Sequence, residues 1–123
     1  MQVEVSNGEL VDKYTILQIK TERINCPEKV RNVIAEKSIL EPLVRQIIDM
    51  NSDMFNSLLS VNKSLWDIED KIREKERNKQ FDDEFIELAR LVYITNDNRS
   101  KIKREINEFT NSDIIEEKSY ETY

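Results

Sequence analysis

Arg99 lies seven residues after Val92 and seven before Ile106. In an unbroken helix a seven-residue spacing keeps side chains on one face, so this guanidinium points where two apolar side chains point. A buried guanidinium left without an anion is strongly destabilising. Its partner must come from helix 1, where Asp12 and Glu9 stand, from a second subunit, or from a ligand. Two readings of Arg99 follow. In one, a buried Arg–carboxylate pair fixes helix register, as polar seam residues do in coiled coils. In the other, Tyr93, Asn96 and Arg99 build a pocket for a small anion.

A second grouping lies on one flank of helix 3, where Trp66, Glu69, Asp70 and Arg73 fall at helical spacing. An aromatic platform with carboxylates suits a sugar or Mg²⁺. The alternative is structural: Trp66 packs on a helix, Glu69 pairs with Arg90, and Arg73 pairs with Asp70. Gly8, the only glycine, is placed in the first turn of helix 1. Free amides there can hold a phosphate, or the missing side chain can admit a neighbouring helix. The ligand-binding candidates are therefore Asp12, Trp66, Asp70, Arg90, Tyr93, Asn96 and Arg99. No catalytic residue, metal ligand or cofactor is assigned.

Composition narrows the chemistry. The chain has no histidine, which excludes Ser–His–Asp and Cys–His nucleophiles, His-ligated zinc and the Glu-x-x-His di-iron bundle. Cys26 is the single cysteine, so it forms no internal disulfide and reads as a reduced thiol. Net charge is −6 with no long basic block, which argues against a nucleic-acid partner. No apolar run approaches the roughly 18 residues of a membrane span, and "MQVEVSNGEL" is no signal peptide. A soluble, cytoplasmic protein is expected.

The elements that position these residues are helices. Of 123 residues, 36% are charged, with one Gly and two Pro, a composition of long amphipathic helices. Helix 1 is expected over about 7–25, opened by a capping box at Ser6 and Glu9 and closed ahead of Pro27. Helix 2 is placed at about 28–37. A second capping box, Ser38 to Glu41, opens helix 3 over about 39–78, and a break at 49–53 is the competing reading. Helix 4 is placed at about 83–109, because Phe85, Leu88, Val92, Thr95, Arg99, Ile102, Ile106 and Phe109 alternate steps of three and four. The polar stretch "TNDN" leaves that phase intact and so reads as helix. Residues 110–123 form a tail.

Four stretches, "SNGELVDKYTILQIKTERI", "LWDIEDKIREKE", "FIELARLVYITNDNRSKIKREIN" and "EEKSY", together resemble a small bacterial domain-of-unknown-function family, number 6165. The resemblance implies no assigned activity and hints at an envelope-polysaccharide setting. The expectation is one all-α domain over 1–123: an elongated antiparallel helical bundle with one long central helix. A homodimer is expected, because the Leu40 to Met54 half of the long seam lacks partners within one chain. The function expected is a non-catalytic interaction or assembly module with a protein partner, and the alternative is a small enzyme or sensor for an anionic metabolite such as a sugar nucleotide.

Overall fold

The computed structural model describes residues 1–123 and is all-helical. Its elements are α1 (Asn7–Arg23), α2 (Pro27–Ile47), α3 (Asp53–Arg77) and α4 (Asp83–Phe109). No strand forms, and the helices make a bundle around α1, which touches each of the other three. α3 and α4 form an antiparallel hairpin, whereas α2 packs on α1 alone.

Local sequence explains the boundaries. Ser6, Ser52 and Asp82 cap α1, α3 and α4 by accepting the amides of Glu9, Phe55 and Phe85, each relieving an otherwise unpartnered donor. Pro27 opens α2, where a missing amide costs least. α3 closes on Lys79, which takes the left-handed φ of 54°, while Gln80 donates back to the Lys75 carbonyl at 2.9 Å. That is a Schellman-type stop without the usual glycine.

Two expected boundaries differ from the structure. Helices at 28–37 and 39–78 are replaced by Pro27–Ile47 and Asp53–Arg77. The Ser38 box is not used, because Val30, Val33, Lys37, Leu40 and Val44 stay in phase along the face toward α1. Pro42 therefore lies inside α2. It faces solvent with Ser38, so water can serve the carbonyl its missing amide leaves free. The chain instead breaks at Ile48, which is extended at φ −146° and ψ 146°. Asp49 Oδ1 accepts the Asn51 amide at 2.9 Å, and Ser52 starts the next helix.

This break removes the long central helix, and α1 takes the central place. It also covers most of the seam on which the sequence argument for a dimer rested, with Leu43 left exposed. Val44 and Ile48 join Phe55 and Leu58 against Val11, Tyr14 and Ile106 in one core cluster, with Leu40, Met50 and Met54 packed around it. Burying side chains of this kind contributes about 1.5–3 kcal/mol each. Tyr14 ties α2 to α1: its hydroxyl donates to Glu41 Oε1 at 2.6 Å, and its ring meets Phe55 at 6.2 Å between centroids.

α1 and α4 approach closely at Gly8. A Cβ there would fall inside the contact distance of the Lys103 carbonyl oxygen and 2.9 Å from Asn107 Oδ1. The backbone of α4 cannot move aside without separating the helices. Of the two readings of Gly8, close approach is the one the contacts carry, and its amide is taken by Asn107 Oδ1 at 2.6 Å.

Two measurements test this packing. Gly8→Ala should lose about 1–3 kcal/mol, the usual overpacking range, by denaturant unfolding, and an unchanged midpoint would mean the helices are not in contact there. Burial, reinforced by the bond to Glu41, pushes the Tyr14 phenol up to about 12. Its contribution to stability is complete below pH 10 and declines between about 10 and 12, as the unfolded tyrosine ionises first. An alkaline absorbance titration should show a latest step, beyond that of Tyr123, which the bond to Asp97 also raises, and this latest step should disappear in Tyr14→Phe.

Candidate functional site

The polar groups that matter lie where α1 crosses the α3–α4 hairpin. α4 is unbroken through "TNDN", so Thr95 and Arg99 keep their seam phase. Arg99 reaches Asp12 as a bidentate fork: Nε donates to Oδ1 at 2.9 Å and Nη2 to Oδ2 at 2.6 Å. The Asp12 side chain is 2% exposed and that of Arg99 28%. Asp12 is thus held as a buried acceptor, and Arg99 keeps one edge toward solvent. The hydrogen bond to Asp12 holds the guanidinium even further above its ordinary range.

Further groups complete the network. Asn62 Nδ2 donates to Asp12 Oδ1 and to Thr15 Oγ1, both at 2.9 Å. Thr15 in turn donates to the Asp12 carbonyl at 2.7 Å. Lys103 Nζ donates to Glu9 Oε2 at 2.5 Å and lies 3.9 Å from Asp12 Oδ2. Glu9 does not close the expected capping box; its carboxylate goes across to α4, and the Ser6 hydroxyl donates to Glu116 Oε1 at 2.6 Å. No buried side-chain nitrogen or oxygen is left without a partner.

Of the sequence candidates, Trp66, Asp70, Asn96 and Arg99 come together on one cleft of about 390 Å³, bounded by Ile16 of α1 and by the hairpin. Asp12 lies behind it, bound to Arg99. The other two are elsewhere. Arg90 is exposed and pairs with Glu87 at 3.7 Å, not with Glu69. Tyr93 meets Tyr123 of the tail edge to face at 5.2 Å between centroids, and Tyr123 donates to Asp97 Oδ2 at 2.7 Å. Arg73 pairs with Glu69 at 3.1 Å rather than with Asp70.

Sequence reasoning missed Lys103, Asn62 and Asn107 as members. Lys103 was discoverable, since it stands one helical turn after Arg99, opposite Glu9. Asn62 and Asn107 were not. An asparagine carries no periodic signal that separates a buried bridge from a solvated surface position.

The pair can be tested directly. Arg99→Ala leaves the Asp12 carboxylate buried, and the expected loss is about 3–5 kcal/mol. Arg99→Lys should also lose stability, because an ammonium cannot make the two parallel bonds. Chemical unfolding of both variants checks this, and a loss below 1 kcal/mol in Arg99→Ala, against that scale, would show that the pair is not structural.

Comparison with known proteins adds a family and nothing closer. No curated protein matches the chain, and no solved structure does. The family model described as Family of unknown function (DUF6165) matches residues 1–123. That match spans the caps, the Asp12–Arg99 pair and the cleft alike, and the chain belongs to this family of unknown function.

Proposed function

We propose that the protein is a non-catalytic helical assembly module that works as a cytoplasmic homodimer. The charged groups between α1 and α4 are engaged with one another, so what they supply is register and stiffness. The observation that carries the dimer is the shape of the α3–α4 hairpin. α1 ends at Arg23, whose guanidinium meets Asp67 at 2.6 Å. α2 starts beside that point and runs back along α1, and the tail reaches only to Tyr93. From Asp67 to about Val92 the hairpin has no third helix against it.

Two helices alone cannot keep water from both sides of a shared seam, and stable domains add a further layer. Ile68, Ile72, Phe85 and Val92 are half-buried in this tip, and none belongs to the core cluster. Phe81 and Ile86 are 56% and 54% exposed. A second tip packed across the first by a two-fold axis gives a four-helix arrangement, in which the same patch meets itself. The exposed, unpaired Cys26 fits a reducing compartment. No helix is long and apolar enough to cross a membrane.

Sedimentation equilibrium at micromolar concentration should give twice the chain mass of 14.7 kDa. Ile86→Lys should return the protein to a folded monomer, and Ile39→Lys, on the outer face of α2, should leave it a dimer. A wild-type monomer contradicts the proposal. A dimer broken by Ile39→Lys and not by Ile86→Lys moves the interface to α2.

A further inference from the structure

The cleft beside the Asp12–Arg99 pair has the size and donor set of a binding site. Its volume, about 390 Å³, lies in the range of small-ligand sites, about 300–1,000 Å³. Asn62 is the informative residue. It is 5% exposed and lines the cleft. Both its amide hydrogens are committed, to Asp12 and to Thr15. Its Oδ1 is therefore an acceptor that no donor of the chain meets, held rigidly at the cleft wall. It is not a buried orphan: it opens onto the cleft, where water serves it and a ligand donor can take the water's place.

The neighbouring groups show what kind of donor. Arg99 uses Nε and Nη2 on Asp12, while Nη1 has only a long contact of 3.4 Å to Asn96 Oδ1. Nη1 and the Asn96 amide are thus available as donors on the same wall. Asp70 lines the cleft and is engaged by neither arginine: Arg73 takes Glu69 and Arg99 takes Asp12. Acceptors at Asn62 and Asp70 therefore share the cleft with donors at Arg99 and Asn96, and Trp66 adds an apolar surface to the same lining.

Charge then selects the ligand class. Arg99 is paired with Asp12, Arg73 with Glu69 and Arg23 with Asp67, which leaves Asp70 without a direct ion pair, though in the field of Arg23. A phosphate would meet no net positive charge, since Glu69 and Asp70 offset Arg73 and Arg99 along the lining. One free carboxylate is too little for a cation, and no group of three or more potential metal ligands exists. Hydroxyls both donate and accept, and aromatic side chains cover the apolar faces of rings. We propose that this cleft binds a neutral polyhydroxylated ring, a sugar, with Trp66 as the platform and Asn62, Asp70, Asn96 and Arg99 engaging its hydroxyls.

Trp66 is the only tryptophan in the chain, so its emission reports on this cleft alone. The experiment titrates the protein with methyl hexosides, N-acetylhexosamines and their disaccharides. Each is compared with a hexose phosphate and a nucleotide sugar. At least one neutral sugar should give a saturable change in emission and bind more tightly than its phosphorylated counterpart. Asp70→Ala and Asn96→Ala should each weaken that binding by about tenfold or more, the effect of losing a hydrogen bond to a fixed partner. The melting temperature of Asp70→Ala should not move, since Asp70 holds nothing in the fold. Three results overturn the proposal: no saturation by any neutral sugar up to millimolar concentration, tighter binding of the phosphorylated forms, or unchanged affinity in both variants.

Discussion

Everything in this molecule depends on a carboxylate that cannot be solvated. Asp12 sits on the central helix with its side chain 2% exposed, and the ionised form is tolerable there only because a guanidinium and an amide are aimed at it. Leaving such a charge unpaired is among the most damaging changes a small domain can suffer. The geometry therefore works in both directions. Arg99 makes the buried Asp12 possible, and Asp12 fixes Arg99 in rotation and height. A slide of α4 by one turn would break the fork, the Asn62 bridge and the Lys103 contacts together.

The second constraint is the closeness that the fork requires. α1 and α4 come near enough at Gly8 for its amide to reach Asn107, which no other residue type would allow. Beyond that pinch α1 also serves α2 and α3. The cleft beside Trp66 lies between α1, α3 and α4, and the end of α1 at Arg23 leaves the hairpin tip uncovered. Cleft and tip are thus two consequences of one arrangement: a central helix shorter than the hairpin it crosses, pinned at one end. The tail adds to the pinned end, with Arg104 bound to Glu117 at 2.9 Å and Ser6 to Glu116.

How much of this could be read from the residues differs by element. α4 was legible to the residue, because its apolar positions keep phase across "TNDN" and a capped Asp82 precedes them. The partner of Arg99 was legible by charge logic, since Asp12 and Glu9 are the acids in the first half of helix 1. The α2–α3 boundary was not legible. Its seam is apolar on both sides of the break, and Ser38 and Ser52 offer similar caps; only packing against α1 decides between them. The lining of the cleft follows from how α1, α3 and α4 pack together, which no periodicity encodes. Arg90 and Tyr93 shared the right helix with Asn96 and still fell outside, because Glu87 and Tyr123 engage them.

The most direct test of the central constraint is a double-mutant cycle between Asp12 and Arg99, using Asp12→Ala, Arg99→Ala and the double variant in denaturant unfolding. A side-chain pair that holds two helices in register shows strong coupling, and the expected value is about 2–3 kcal/mol, at the upper end of the range for contacting residues. The double variant should then lose about 2–3 kcal/mol less than the sum of the two single losses. Losses that simply add would contradict the account, because they would mean that the carboxylate and the guanidinium act on the fold independently.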